Sequence, residues 1–425
     1  MVSVWPSVPP GRVPARRLPP QPELPRVKVL HVITRFIAGS GGNTLVSAAG
    51  MDPDRYDTWV AGMPGGPLWE QARAAGVGTV EIRHMRERIS PWHDLMACRE
   101  LIALIRRENF TVVHTHCSKA GLIARVAARL AGTPVIVHTF HILAAHDGLS
   151  PGRRRVYLAL ERFVRGFAHH YVAVAPRLAR QAVEQRVAPP GRVSVVPSAV
   201  DLSTIPATEA VEVRAELGIA EGARVVGTVG RLVPQKAPLD FVRMCALVRR
   251  QEPGTVFVMV GDTTLESAGL ERETRREADR LGVPILFTGF RDDAPRVAST
   301  FDVYVVPSRH EGLGRALTEA MASGRPVVAT AVNGVPDLVE PGATGLLADP
   351  GDVEGLAEAT MWMLRHPAEA GQMGERGRER VRSHFAPETM CSALDDLYSG
   401  LLGLPASSPP EEHAVARHAH IQRTA

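Results

Sequence analysis

Cysteine is scarce in this chain: four in 425 residues, Cys98, Cys117, Cys245 and Cys391, scattered and with no C-x-x-C pair. That usage supports neither a disulfide framework nor a zinc site, and it predicts a reducing, cytoplasmic setting. Long apolar runs are missing as well, none approaching the roughly 20 residues that cross a bilayer. Residues 1–25 are crowded with proline and lack the apolar core of a signal peptide, so they read as a disordered arm. There is no G-x-G-x-x-G fingerprint, which removes most of the support for a nicotinamide enzyme. Formal net charge is only +4. No interleaved aromatics accompany the basic stretches, so a nucleic-acid partner is not expected.

What is present is the material of a two-domain α/β protein. A hydrophobic content of 45% in 425 residues can bury two substantial cores, and 34 prolines with 38 glycines suit many short connections. Strands are predicted at Val27–Ile33, Thr58–Ala61, Val112–Thr115, Val135–Thr139, Tyr171–Val174 and Val193–Val196. Helical periodicity covers Leu95–Arg107 and Lys119–Leu130 between them. The polar stretch 201–222 interrupts this pattern. It restarts with strands at Val225–Val229, Val256–Val260, Ile285–Phe287, Val303–Val306 and Val327–Ala329, and helices at Leu239–Arg250 and Arg315–Ser323. Two doubly wound Rossmann-like domains follow, over 26–200 and 201–384, with the ligand site expected between them at the carboxyl ends of the strands. An amphipathic helix at Pro387–Leu402 lies within a closing segment, 385–403, and a polar tail, 404–425, reads as disordered.

The most informative run is Ser308-Arg-His-Glu311-Gly312-Leu313-Gly314, followed by the helix that carries Glu319. The glycines let backbone N–H groups approach a phosphate or sugar, and the helix presents its positive end there. If the two carboxylates sat on one helix, eight residues would separate their backbones by roughly 12 Å. The acid pair of a glycoside hydrolase works across roughly 5–9.5 Å, so the spacing better suits two groups gripping different hydroxyls of one long ligand. The plain alternative is a capped surface helix with two solvated glutamates. Arg231 and Lys236 follow the strand Val225–Val229, where a guanidinium and an ammonium can neutralise a diphosphate. Gly41 and Gly42 sit in a predicted loop after the first strand, where backbone can approach a diphosphate.

Several features admit two readings. His114 and His116 share one face of a strand, and with His138, His141 and Cys117 they could suggest a metal site. Asp52-Pro53-Asp54 superficially matches a metal-binding D-x-D, but proline between the acids suits a bend. From Gly152 to Arg192 there are nine arginines against Glu161 and Glu184, with Val156, Leu160, Phe163 and Phe167 at helical spacing. That stripe either faces a core behind a solvated basic face or lies on an anionic membrane.

The run Glu311 to Glu319 resembles the E-x7-E signature of retaining glycosyltransferases with the GT-B fold, particularly glycosyltransferase family 4. The same resemblance extends, in order, through His114–Gly121, Val137–His141, Val195–Asp201, Gly230-Arg231 with Lys236, and Phe287–Phe290. It implies two Rossmann-like domains facing across a cleft, with the last helix crossing back to the first. It further implies transfer of a sugar from a nucleotide-diphosphate-sugar, UDP-sugar favoured, with the leaving phosphate taking the acceptor proton. By that resemblance Glu319 accepts from the ribose, Glu311 contacts the donor sugar, and the backbone of Gly230, Gly312, Leu313 and Gly314 completes the phosphate and sugar contacts. Thr288, Gly289 and Phe290 edge the base. His141 holds sugar and acceptor together, and no metal or cofactor is expected. Two departures stand out: Ala237 occupies a position usually glycine, and Ile142 one usually glycine or a carboxylate. Two other readings stay open, a UDP-sugar 2-epimerase of the same architecture and a catalytically silent nucleotide-sugar-binding subunit; the acceptor is not identified.

Overall fold

Val29, Leu30, Val32 and Ile33 are all fully buried in the first strand, so both of its faces are covered. That is the burial of a parallel strand packed between helices. The structure, a computed structural model, describes residues 26–37, 39–143, 150–200, 210–263 and 267–405. The expected N-terminal arm and nearly all of the expected tail lie outside these residues.

The first half runs β1 (Val27–Arg35), α1 (Ser40–Ala49), β2 (Tyr56–Met63), α2 (Leu68–Ala74), β3 (Gly78–Glu81), α3 (Pro91–Glu108), β4 (Val112–His116) and α4 (Ser118–Ala131). It continues through β5 (Val135–Phe140), α5 (Pro151–Val164), β6 (His170–Ala173), α6 (Pro176–Glu184) and β7 (Val193–Val195). The second half runs α7 (Ala210–Glu216), β8 (Val225–Val229), α8 (Pro238–Gln251), β9 (Val256–Val260), α9 (Leu270–Leu281), β10 (Ile285–Gly289) and α10 (Ala294–Ala298). Then come β11 (Val303–Val306), α11 (Arg315–Ala322), β12 (Val327–Thr330), α12 (Val335–Leu338), β13 (Leu346–Ala348), α13 (Val353–Arg365), α14 (Pro367–His384) and α15 (Pro387–Leu402).

The strands form two sheets, ordered β3-β2-β1-β4-β5-β6-β7 and β10-β9-β8-β11-β12-β13. Every ladder in both is parallel. Each is therefore doubly wound, as the sequence predicts. The final helix returns to the first sheet, where Met390, Cys391, Leu394 and Tyr398 share a core with Val29, Val112, Val135, Val137 and Val172. Polar contacts fix its register: the Tyr56 hydroxyl donates to Asp395 at 2.5 Å and Arg55 to the Ser399 hydroxyl at 2.6 Å.

Two strands go beyond the sequence reading, one expectation changes, and one open alternative is decided. The edge strands β3 and β13, four and three residues long, are too short to show a period in sequence. Gly41 and Gly42 lie in the first turn of α1 and not in a loop, because the turn is made one residue earlier by Gly39 at φ 75°. On α5 the apolar stripe does not face a core: Val156, Leu160 and Phe163 are 57%, 40% and 71% exposed, and Phe167, just past the helix, is half-buried against the Phe163 ring. The helix instead buries Glu161, whose carboxylate accepts from the fully buried Arg125 guanidinium at 2.6 Å.

Candidate active site

In the second sheet the strand order reverses between β8 and β11, the place where doubly wound sheets open a crevice at their carboxyl ends. A cleft of about 430 Å³, counting space open to solvent, occupies it. Gly230, Arg231, Lys236, Ser308, Glu311 and Gly314 all line it, so residues spread over 85 positions of sequence converge there, all of them from the second domain.

Local chain geometry explains how. After β8 the chain makes one 3-10 turn, Pro234–Lys236, and Ala237 at φ 48°, ψ 55° turns it into α8. This folds Lys236 back over the cleft, where Nζ donates to Glu311 Oε1 at 2.5 Å. The Ser308 hydroxyl donates to the same oxygen at 2.7 Å, and the Glu311 N–H donates to Asn333 Oδ1 at 3.0 Å. Glu311 is buried, and both side-chain contacts fall on its Oε1. Gln235 closes the loop pair, donating from its amide to the His310 carbonyl at 2.9 Å and accepting from the Arg309 N–H at 2.8 Å. Ser308, Gln235 and Asn333 carried no signal in the sequence beyond their proximity to the motif.

Gly314, at φ 96°, caps α11 and leaves that helix's positive end facing the cleft. Glu311 precedes the helix and Glu319 lies on it, so the two carboxylates diverge. Glu319 accepts from Arg315 Nε at 2.8 Å and lines a neighbouring recess with Val229, Pro295 and Tyr304. Arg231 is exposed at the rim. Thr288 and Gly289 end β10, two strands out from β8, Phe290 follows them, and none of the three lines the main cleft. Phe290 is 69% exposed there.

The first sheet meets this site directly. A Cβ on Gly312 would lie 1.8 Å from the His141 carbonyl oxygen, so only glycine lets the two backbones approach this closely. A Cβ on Gly42 would lie 1.9 Å from Arg315 Nη1. Arg315, which sequence reasoning passed over, thus spans from α11 to the first turn of α1.

Beneath His141 lies a line of histidines. Strand alternation puts His114, His116, Thr139 and His141 on one face, with His31 joining from β1. His31 Nδ1 pairs with His116 Nε2 at 2.9 Å, and His116 Nδ1 with His141 Nε2 at 3.1 Å. His114 pairs through Nδ1 with the Tyr398 hydroxyl at 2.5 Å and through Nε2 with Thr139 at 2.6 Å. His138 points to the other face, paired with the Thr115 hydroxyl at 2.8 Å. Burial lowers the pKa of His31 to about 3 and of His141 to about 4. It also holds His114, His116 and His138 well below the ordinary range, with the Arg125 charge adding to it at His138 and the repulsion that charging would raise among the rings adding to it at all three, so all five rings are neutral at pH 7.

Ligand atoms of His31, His114 and His116 lie within 4.8 Å of one another, the spacing of a candidate metal site. The chemistry fits poorly. Both ring nitrogens of His114 and of His116 are already engaged, so a cation would displace hydrogen bonds that hold β1, β4, β5 and α15 together. Cys117 is not among these ligands; its thiol contacts the Ser40 hydroxyl.

A sequence profile described as Glycosyl transferases group 1 matches residues 223–366, and one described as Glycosyltransferase Family 4 matches residues 48–204. The chain belongs to the GT-B glycosyltransferases. It is 29% identical over 383 residues to the UDP-Gal:alpha-D-GlcNAc-diphosphoundecaprenol alpha-1,3-galactosyltransferase of Escherichia coli, covering 88% of this chain and 97% of that one. It is 34% identical over 281 residues to the 2-deoxystreptamine N-acetyl-D-glucosaminyltransferase of Streptomyces fradiae, 62% of this chain and 64% of that one. In fold, this glycosyltransferase superimposes on Anabaena HepE, solved with UDP and glucose, at a TM-score of 0.76 and 21% identity, over 88% of this chain and 100% of that one.

Proposed function

We propose that this glycosyltransferase takes a UDP-sugar in the cleft at β8 and β11 and transfers the sugar with retention to an acceptor held at a membrane surface. The observation that carries the donor assignment is the convergence of Arg231, Lys236 and the capped end of α11 on one cleft beside Glu311. A guanidinium, an ammonium and a helix N-terminus offset the charge of a bound diphosphate and the charge that grows on it as the sugar leaves. In this reading Glu319 receives the ribose and Glu311 the sugar hydroxyls. Thr288, Gly289 and Phe290 reach the base by way of the outer end of the same strand edge, and Gly41 and Gly42 approach from α1.

Glu311 is tied to Lys236 and Ser308, which argues against its use as a free nucleophile or base. The leaving phosphate is then the group that takes the acceptor proton. No metal or cofactor enters, so transfer persists in EDTA. The names of the two enzyme relatives given above, a galactosyl- and an N-acetylglucosaminyltransferase, support a hexosyl or N-acetylhexosaminyl donor.

The exposed side chains of α5 support the membrane half of the proposal. Val156, Leu160 and Phe163 stand out beside the exposed Arg153, Arg155, Arg162 and Arg165, the pairing of apolar and basic groups that an anionic bilayer attracts. The Escherichia coli relative is named for an undecaprenol-linked acceptor. Among the described residues no helix is long and apolar enough to span a membrane, so peripheral contact at its cytoplasmic face is the mode proposed.

Mass spectrometry of products from UDP-, GDP- and ADP-sugars, offered with lipid, peptide and polyol acceptors, tests the reading. A glycosylated acceptor formed from a UDP-sugar, with the donor's anomeric configuration kept, supports it. A sugar epimer formed without any acceptor would move the chain to the 2-epimerases, and binding without turnover to a silent subunit.

A further inference from the structure

The line of three histidines ends on an unpaired atom. His31 is fully buried, and its Nε2 has no hydrogen-bond partner among the described residues. At the other end the Nε2 of His141 is taken by His116, which leaves its Nδ1 for a ligand, and the His141 backbone lies against Gly312 of the glycine run. All three rings are neutral, and a neutral imidazole carries one N–H.

That count leaves only two arrangements that make both ring-to-ring hydrogen bonds. In one, His31 donates from Nδ1, His116 passes a donation from its Nδ1 to His141 Nε2, and His141 must carry its proton on Nδ1. In the other every direction is reversed, His141 shows the cleft a bare nitrogen, and His31 is left with a buried, unsatisfied Nε2–H. A buried N–H without a partner is the rarer defect in folded proteins, so the first arrangement is favoured.

We infer that His116, with His31 behind it, is a positioning residue that locks His141 as a hydrogen-bond donor, Nδ1–H, toward the sugar-binding side of the cleft. This rests on the proposed function and on the role that the family resemblance implies for His141, holding sugar and acceptor together. The consequence is chemical: a ring held this way donates to a hydroxyl or ring oxygen of the donor or acceptor, and it has no free lone pair with which to remove a proton. His114 does not take part, because its own nitrogens are used by Tyr398 and Thr139.

Long-range ¹⁵N–¹H correlation spectra of histidine-labelled protein at pH 7.5, assigned with His141→Gln, report the tautomer directly. The expected result is His141 protonated on Nδ1 in the wild type and shifted to the Nε2–H form or a mixture in His116→Phe. An Nε2–H His141 in the wild type overturns the inference, and so does an Nδ1–H form that His116→Phe leaves untouched. If His116→Phe does not fold, the same comparison is made with His116→Leu, and an Nε2–H His141 in the wild type overturns the inference by itself. Kinetics then separate the two layers: His116→Phe should lower kcat about tenfold while UDP affinity stays unchanged. Should the tautomers come out as expected while His141→Gln keeps full transfer, the role of His141 fails and the histidine lock stands.

Discussion

Ala237 is the residue that works hardest against its own chemistry. It sits at φ 48°, a left-handed conformation that costs an L-residue about 1–2 kcal/mol. It holds this geometry because the turn it makes swings Lys236 onto Glu311. Glycine at this position releases the strain, and its greater freedom in the unfolded chain returns about 0.5–1 kcal/mol of that. Ala237→Gly is therefore expected to stabilise the second domain by up to about 1 kcal/mol, read as a higher thermal midpoint, with transfer unchanged. The sequence showed that an unusual residue stood here; it did not show the backbone angle that makes it unusual.

The histidines divide at the same scale. His141→Ala should bind free UDP nearly normally yet lose most transfer, the signature of an interaction made chiefly in the transition state. His138→Ala should keep the larger share of turnover and lose stability, by about 2–4 kcal/mol, because it empties a packed site against Gly121 and Tyr171. Calorimetry and turnover on both variants separate them. Strand alternation already placed the pair on different sheet faces once the strand was located, since they are three residues apart. His31 was harder to see, being one polar residue inside an apolar strand with nothing in its neighbourhood to name its partners.

Elements were legible where their pattern was long. β1, β4, β5, β8, β9 and β11 declared themselves as apolar runs because parallel strands are buried on both faces. α5 was ambiguous, because a stripe of Val156, Leu160 and Phe163 looks the same whether it meets a core or a bilayer. Only the packing decides, and it leaves the stripe exposed. Phe163→Glu should therefore leave the thermal midpoint nearly unchanged, since the side chain supports no core. It should weaken co-sedimentation with vesicles of phosphatidylserine and phosphatidylcholine at low salt by about tenfold. Undiminished sedimentation would detach α5 from the membrane. The E-x7-E segment shows the opposite case: the helix was predicted with Glu311 ahead of it, as the structure has it, but the contact of Glu311 with the Lys236 loop is long-range and no local pattern encodes it.

Across the whole molecule, the buried histidines tie stability to pH. His31 and His141, lowered to about 3 and about 4, stay neutral in the folded protein while the unfolded chain takes up protons near pH 6.5. The unfolded state binds more protons in that interval, so stability falls as pH drops from about 6.5 toward 4 and is flat above about 7.5 as far as these groups are concerned. The thermal midpoint measured from pH 8 to pH 4.5 should follow that course, and His31→Phe should flatten it if the variant folds.

In the proposed function the β8–β11 cleft of the second domain binds a nucleotide diphosphate through its basic side. Titration of UDP into the wild type, Lys236→Ala and Glu319→Ala by calorimetry tests it without requiring the acceptor. A hydrogen bond to a charged group contributes about 1.5–3 kcal/mol, so each variant should bind UDP about 10- to 100-fold more weakly while keeping its fold by circular dichroism. Equal affinity in all three proteins would contradict the account, because the diphosphate and ribose would then have to lie somewhere other than beside Lys236 and Glu319.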